Sequence, residues 1–121
     1  MKYDDSNIFA KILRGEIPCK KIYEDEFVLS FYDINPQKKV HALVIPKGKY
    51  TDFDDFSSKA SSEEMVGLLK GINTVAKKLG ISSDTGKGYR ALANISEDGG
   101  QEVPHLHFHL FGGEKIGKMV Q

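Results

Sequence analysis

The sequence predicts an α+β fold whose sheet is mainly antiparallel. Three strand-like segments come first, one long amphipathic helix follows, and two further strands complete the chain. This order is typical of α+β domains rather than of alternating strand–helix units. The chain has 121 residues, of which 40% are hydrophobic and 28% charged, which predicts one globular domain over residues 1–121.

The first predicted element is a short helix that Ser6 caps and that Gly15 ends in a left-handed conformation. Its apolar residues fall on one face: Ile8, Phe9, Ile12 and Leu13. Residues 20–24 and 27–33 then read as two strands, and the polar break Asp25-Glu26 between them indicates a hairpin.

A third strand, residues 40–46, precedes the main helix. Ser61 and Glu64 have the spacing of a capping box, and Gly80 ends the helix. The apolar residues between them follow the helical period: Met65, Leu68, Leu69, Ile72, Val75, Ala76 and Leu79. Two strands, residues 88–95 and 104–111, complete the predicted sheet.

Charge and cysteine content exclude several classes of protein. Lys plus Arg and Asp plus Glu each number 17, so the chain lacks the basic excess that nucleic-acid and anionic-membrane binders need. One cysteine, Cys19, cannot form an intramolecular disulfide. No apolar run approaches membrane-spanning length. We therefore expect a soluble cytoplasmic protein.

Three of the four histidines alternate along the fifth predicted strand: His105, His107 and His109. Because successive strand side chains point to opposite faces, these three share one face, roughly 6.6 Å apart along the strand. The residues between them are expected to enter the core: Leu106, Phe108 and Leu110. Histidine is not favoured in strands, so three on one face indicate a function.

A row of imidazoles suits phosphoryl chemistry. One neutral imidazole can attack phosphorus while its neighbours carry protons to the leaving group. Repulsion between adjacent imidazolium charges opposes their simultaneous protonation, which helps to keep the nucleophile neutral. The alternatives are a polar patch without a function and a zinc site. Zinc is disfavoured because the outer histidines lie roughly 13 Å apart at the backbone, whereas a zinc–nitrogen bond is about 2.1 Å.

The run His105-Leu106-His107-Phe108-His109-Leu110-Phe111 resembles the histidine-triad motif, in which histidines alternate with apolar residues. The resemblance extends, in order and with similar spacing, from about residue 7 to residue 113. It is to the Hint branch, the histidine-triad nucleotide-binding proteins. The further matching segments are Ile8-Phe9, Glu16-Ile17-Pro18, Asp33-Ile34-Asn35-Pro36, His41-Ala42-Leu43-Val44-Ile45-Pro46-Lys47, Gly99-Gly100-Gln101 and Gly112-Gly113.

This resemblance implies a HIT-like fold with a five-stranded antiparallel sheet and two helices. Two such subunits pair as a homodimer with a ten-stranded sheet. It also implies a purine nucleoside phosphoramidase, which binds AMP, GMP and their phosphoramidates. Such an enzyme hydrolyses phosphorus–nitrogen bonds or acyl-adenylates, and needs no metal or other cofactor.

Transferred position by position, the resemblance implies that His107 is the nucleophile. It displaces the amine from the α-phosphorus and forms a nucleotidyl-histidine that water hydrolyses. His109 then matches the histidine that contacts the phosphate and the leaving group, and His105 matches the one that orients the site. His41 matches the fourth histidine of the pocket.

The implied nucleotide contacts come from several segments. Asp33 matches the carboxylate that binds the ribose hydroxyls, and Asn94 matches an amide near the phosphate. The glycine-rich turn adds Gly100, Gln101 and Glu102. The apolar slot for the base comprises Ile8, Phe9, Ile17, Phe31 and Ile34. From the residues alone, the aspartate also suits a turn, the asparagine a strand end and the apolar residues a core.

The chain departs from the family pattern at two places. Glu102 stands where many Hint proteins carry a serine. A carboxylate beside an anionic substrate is unfavourable unless a cation lies between them, so we expect a preference for positively charged leaving amines. The chain has no tryptophan, whereas several Hint proteins place one near the C-terminus. A leaving-group preference that depends on this tryptophan is therefore not transferred.

Three other functions remain open. The related Fhit branch hydrolyses dinucleoside polyphosphates, although Gly112-Gly113 after the triad favours the Hint branch. A nucleotide-binding interaction protein with incidental turnover would keep its partners after replacement of His107. A zinc protein would retain metal through purification.

Overall fold

The computed structural model describes residues 2–120. Five strands form one antiparallel sheet in the order β1-β2-β3-β5-β4. The strands are β1 (Lys21–Glu24), β2 (Val28–Tyr32), β3 (Val40–Pro46), β4 (Arg90–Leu92) and β5 (Phe108–Gly112). The helices are α1 (Ile8–Leu13), α2 (Phe53–Lys59) and α3 (Ser62–Lys78). The predicted α+β class and five-stranded antiparallel sheet are confirmed.

The prediction of two helices is wrong, because α2 is a third helix. Its sequence, FDDFSSK, is rich in residues of low helix propensity and has too few apolar positions to show a helical period. The helix forms because Asp52 caps it by accepting a hydrogen bond from the Asp55 amide, and because Phe56 is buried in the core.

The capping predictions succeed for α3 and are off by one residue for α1. Ser61 and Glu64 form the reciprocal capping box that their spacing predicts. In α1 the cap is Asn7, whose side chain accepts a hydrogen bond from the Ala10 amide. Ser6 instead donates its hydroxyl hydrogen to the Asp4 carboxylate, which removes it from capping.

Both C-terminal strands are shorter than predicted. β4 covers three residues instead of 88–95, and β5 begins at Phe108 instead of residue 104. The backbone amides just before β5 are engaged elsewhere: His105 donates to the Val103 carbonyl and Leu106 donates to the Tyr50 carbonyl. These amides therefore cannot join the ladder with β4.

The two faces of the sheet carry separate apolar clusters. One face packs against α3 and includes Val28, Ala42, Val44, Leu106 and Leu110, with Phe108 beside them. The apolar alternation predicted for the fifth strand is therefore correct. The other face packs around Phe9 of α1 and includes Leu29, Phe31, Leu43 and Ile45. By strand alternation, His41 of β3 lies on this second face.

Close packing between α3 and β2 depends on two glycines. A Cβ atom at Gly67 would lie 2.5 Å from Cγ of Phe27, and one at Gly71 would lie 2.8 Å from Cγ2 of Val28. The glycine pair therefore brings the helix onto the sheet within one subunit. No helix of the described chain, residues 2–120, is long and apolar enough to cross a membrane.

We predict that Gly67→Ala lowers the free energy of unfolding by up to about 2 kcal/mol. Alanine gains about 1 kcal/mol of helix propensity, but the displaced Phe27 ring costs about 1–3 kcal/mol in a close-packed core. Urea unfolding followed by circular dichroism measures the difference. Asn73→Ala, at an exposed position of the same helix, is the control and should not destabilise the protein. A more stable Gly67→Ala would contradict the packing argument.

Candidate active site

The four histidines of the chain meet on the α1 side of the sheet. His41 comes from β3 and His109 from β5, opposite Leu43 in the register. His105 and His107 come from the segment just before β5 and are buried. The His107 and His109 ring centroids are 5.1 Å apart, and those of His41 and His109 are 5.2 Å apart. The rings of His107, His109 and His41 thus form one row, and the backbone carbonyl of His105 contacts its His107 end.

The backbone determines which nitrogen of His107 is free. Nδ1 of His107 lies 2.7 Å from the His105 carbonyl oxygen. A carbonyl oxygen only accepts, so Nδ1 carries the ring proton and Nε2 of the neutral ring keeps its lone pair. Within residues 2–120, Nε2 of His107 makes no hydrogen bond, and no buried side-chain nitrogen or oxygen lacks a partner. Solvent, and hence a ligand, therefore reaches Nε2.

The surroundings of His107 keep it neutral. Burial lowers the pKa of His107, while its hydrogen bond to the His105 carbonyl and the Asp33 and Glu102 carboxylates act in the opposite direction. The Phe9 ring stands edge-on to His107 at a centroid distance of 4.9 Å. A buried neutral imidazole with an accessible lone pair is a competent nucleophile.

A second chain of hydrogen bonds orients His109. The Gln37 amide donates to Nδ1 of His41 over 3.1 Å. His41 therefore carries its proton on Nε2, which donates to Nδ1 of His109 over 2.9 Å. The remaining His109 proton is on Nε2, which makes no hydrogen bond within residues 2–120 and is available to a ligand. Burial and the neighbouring His107 and His41 lower the pKa of His109 to about 4.

Asp33 follows β2 and serves two local contacts. One carboxylate oxygen accepts a hydrogen bond from the Asn35 amide over 2.8 Å, as its turn-opening position predicts. The other lies 3.4 Å from Nε2 of His41. Its side chain is about one-fifth exposed, so the carboxylate faces both the histidine row and solvent.

Asp33, His41 and His109 are close enough to share a metal ion, since one ligand atom from each lies within 4.8 Å of the others. The hydrogen bond from Gln37 opposes this. Zinc would need the lone pair of His41 Nε2, which would move the ring proton to Nδ1, against the Gln37 amide hydrogen. The donor set is therefore a poor fit for zinc.

The predicted apolar slot divides into buried and exposed residues. Phe9 and Phe31 are buried and pack edge-to-face at 5.6 Å, and Phe9 also contacts His107. Ile17 is half-buried. Ile8 is 46% exposed and Ile34 is 91% exposed, so these two side chains are open to a ligand rather than part of the core.

Two backbone amides of the glycine-rich turn are used inside the turn itself. The Gly100 amide donates to the Glu97 carbonyl, and the Gln101 amide donates to the Ser96 carbonyl. The Gln101 side-chain amide donates to the Thr51 and Val103 carbonyls. The Gln101 side chain therefore ties the turn to Thr51 and to the segment just before the histidines. In contrast, Glu102 is exposed, and Asn94, just after β4, is half-buried.

Sequence reasoning missed three contributors to this geometry. Two of them act through the backbone: the Gln37 amide and the Pro46 carbonyl, which accepts from His105 Nε2 over 2.8 Å. The third is the side chain of Tyr3, which contacts His105. The backbone groups carry no residue-specific signal, and Tyr3 stands 102 positions from its partner.

A family model for the HIT domain matches residues 14–116, which include all four histidines. The chain belongs to the HIT family. Similarity within the family is high over the whole length. An uncharacterised HIT-like protein of Azospirillum brasilense is 53% identical over 118 residues, 98% of this chain and 94% of that protein. The purine nucleoside phosphoramidase of Escherichia coli K12 is 39% identical over 117 residues, 96% of this chain and 94% of the enzyme.

Solved structures of other HIT proteins share the fold. A HIT family hydrolase from Clostridium thermocellum superimposes with a TM-score of 0.86 at 36% identity, covering 98% of this chain and 99% of the hydrolase. A histidine triad nucleotide-binding protein from Candida albicans gives a TM-score of 0.77 at 30% identity, covering 96% and 85%. Among HIT proteins, then, hydrolases and nucleotide-binding proteins both resemble this chain.

Proposed function

We propose that this HIT protein is a purine nucleoside phosphoramidase that also hydrolyses acyl-adenylates. It releases AMP or GMP and an amine through a nucleotidyl intermediate on His107. The observation that carries the proposal is the proton arrangement of the row. His107 offers a lone pair at Nε2, and His109 beside it offers a hydrogen at Nε2. The similarity to the Escherichia coli phosphoramidase supports the same reaction.

In the first step, His107 Nε2 forms a bond to the α-phosphorus and the phosphorus–nitrogen bond breaks. The leaving nitrogen needs one proton, and the His109 Nε2–H beside the nucleophile hydrogen-bonds it. A neutral imidazole is too weak an acid to release this hydrogen. In the proposed step His109 therefore transfers a proton as the imidazolium that forms when the anionic phosphate binds and raises its pKa. In the second step, water attacks phosphorus. The oxygen and one proton of this water become part of the nucleotide. The other proton of the water replaces the proton that left the histidine row with the amine. The ring of His107 is thereby released as the neutral nucleophile.

The remaining residues bind and orient the substrate in this proposal. His105 holds the His107 ring through its carbonyl oxygen, and His41 holds the ring of His109. Asp33, with a partly exposed carboxylate, binds the ribose hydroxyls. Asn94 lies on the phosphate side. The proposed base slot combines the exposed Ile8 and Ile34 with the half-buried Ile17 and the buried Phe9 and Phe31.

The proposed assembly is a cytoplasmic homodimer. β4 lies at one edge of the sheet and pairs within the described chain with β5. A second copy that adds its own edge strand there would continue the five-stranded sheet into a ten-stranded one. Sedimentation equilibrium measures the mass in solution.

The test of the proposed reaction is an adenosine phosphoramidate with a fluorogenic amine, assayed without added metal. We expect amine release and AMP formation at a far higher rate than with a dinucleoside polyphosphate. Faster cleavage of the dinucleoside polyphosphate would instead support the Fhit-type reaction. Tight AMP binding without cleavage of either substrate would support a nucleotide-binding role. Release that requires zinc would contradict the histidine mechanism.

Glu102 gives a prediction about the leaving group. Its exposed carboxylate lies close enough to raise the pKa of His107 against the larger effect of burial. It is therefore near enough to attract a positive charge on the departing amine. We expect Glu102→Ser to reduce kcat/KM for a phosphoramidate with a cationic amine by about fivefold relative to a neutral one, the upper range for an exposed charge pair.

The control for this prediction is Glu97→Ser, which removes another exposed carboxylate from the same turn. The control should leave the ratio of the two substrates unchanged. Equal losses on both substrates in Glu102→Ser would show that the carboxylate does not select the leaving group.

A further inference from the structure

The phenol of Tyr3 completes a clamp on the ring of His105. The Tyr3 oxygen is 2.6 Å from Nδ1 of His105, and the two rings meet edge-to-face at a centroid distance of 5.6 Å. On the other side, Nε2 of His105 is 2.8 Å from the Pro46 carbonyl oxygen. Because that carbonyl only accepts, Nε2 carries the ring proton, and Nδ1 accepts from the phenol.

The clamp holds only neutral groups. Burial lowers the pKa of His105 to about 4, although the hydrogen bond to Pro46 opposes this. Burial also raises the pKa of Tyr3 above its ordinary value, so the phenol keeps the hydrogen that it donates. His105 is fully buried. Each of its two nitrogens thus has one partner, and neither has access to water.

The segment that carries Tyr3 is itself anchored. The Asn7 side chain donates to the Asp4 carbonyl over 2.8 Å, and Arg14 donates to the Asp5 carbonyl over 2.9 Å. Lys49 forms an ion pair with the Asp5 carboxylate at 2.9 Å. These contacts fix the backbone next to Tyr3 against α1 and the loop after β3, so the phenol approaches His105 from a defined direction.

We infer that Tyr3 is a positioning residue for the proposed hydrolysis, which acts on the nucleophile through His105. Tyr3 and Pro46 hold the ring of His105. The backbone carbonyl of this same residue accepts the hydrogen bond from His107 Nδ1. Holding the His105 ring holds its peptide group, and the peptide group determines which nitrogen of His107 faces the substrate. This inference rests on the proposed function of the histidine row.

Tyr3→Phe tests the inference because it removes the hydroxyl and keeps the ring. His105 Nδ1 then has no donor in a buried site, which allows the ring and its peptide group to shift. We expect kcat to fall about tenfold with KM changed less than about twofold, since the loss concerns orientation of the nucleophile rather than binding. The melting temperature of each variant shows that it remains folded.

Tyr23→Phe is the matched control. The Tyr23 hydroxyl also makes one side-chain hydrogen bond, to the Asp25 carboxylate over 2.8 Å, but it lies in the β1–β2 hairpin away from the histidines. It should leave kcat and KM unchanged. A loss of kcat in the control equal to that in Tyr3→Phe would overturn the inference, because it would reflect a general effect of removing a tyrosine hydroxyl.

Nitrogen-15 NMR of the imidazoles provides a readout that does not depend on turnover. We expect the Nδ1 resonance of His105 to move towards that of a free imine nitrogen in Tyr3→Phe, and the tautomer ratio of His107 to shift away from Nδ1–H. An unchanged His105 resonance, or a changed one with unaltered His107 and kcat, would overturn the inference. If the unmodified protein cleaves no phosphoramidate, the proposed function fails, and the His107 tautomer ratio still decides whether Tyr3 positions that ring.

Discussion

Replacing His107 with alanine is expected to abolish amine release, lowering kcat by about 10⁴-fold or more, the range for loss of a covalent nucleophile. No other described side chain offers a lone pair in the same place. The neighbouring His109 carries a hydrogen, not a lone pair, on its free nitrogen Nε2. AMP binding should survive, since the proposed ribose and base contacts come from other segments. Stopped-flow fluorescence and calorimetry measure the two effects.

His107→Asn separates loss of the nucleophile from damage to the site. In the unmodified protein, His107 Nδ1 donates to the His105 carbonyl over 2.7 Å. The asparagine side-chain amide of the variant can donate to the same carbonyl. This variant should be as inactive as His107→Ala but closer to the unmodified protein in stability. Activity within tenfold of the unmodified protein in either variant would exclude His107 as the nucleophile.

The second large effect is a loss of stability in mild acid. In the folded protein, burial and neighbouring charges hold the pKa of His105 and His109 at about 4, and the pKa values of His41 and His107 are also lowered, mainly by burial. In the unfolded chain these residues titrate near 6.5. As the pH falls through 6.5, the unfolded chain binds protons that the folded protein does not.

The sign follows from this difference. Stability that is present above pH 6.5 is lost between pH 6.5 and about 4, at up to about 1.4 kcal/mol per pH unit for each such histidine. Urea denaturation across this range measures the slope. His105→Gln removes one titrating ring, so its slope should be smaller by about that amount. A flat profile in the unmodified protein would show that the histidines titrate normally in the folded state.

Alternation along the last strand was the most informative signal in the sequence. It predicted that Leu106 and Leu110 enter the core and that the triad histidines share the other face. The capping box of α3 was equally local and equally readable, since both partners lie within four residues. Such patterns predict the folded structure correctly because side-chain periodicity and local backbone hydrogen bonding favour the same conformation.

What the sequence did not predict depends on contacts between distant segments. α2 forms because Phe56 finds a place in the core, which its own seven residues do not indicate. β5 begins late because the Leu106 amide is taken by the Tyr50 carbonyl, 56 positions earlier. In the candidate site, too, contacts between distant segments could not be predicted from the sequence. The four histidines were identifiable, but their tautomers depend on the Gln37 amide, on the Pro46 and His105 carbonyls and on Tyr3.

The acceptors that orient the triad have a consequence for how this site tolerates genetic change. The partners of His107 and of His105 Nε2 are main-chain carbonyl oxygens, which every amino acid possesses. A point mutation at Pro46 or at a neighbouring position therefore cannot delete them. An inserted or deleted residue between Pro46 and Tyr50, or between Val103 and His107, would move them. Apart from His105 and His107 themselves, we therefore expect these two stretches to tolerate substitutions better than insertions or deletions.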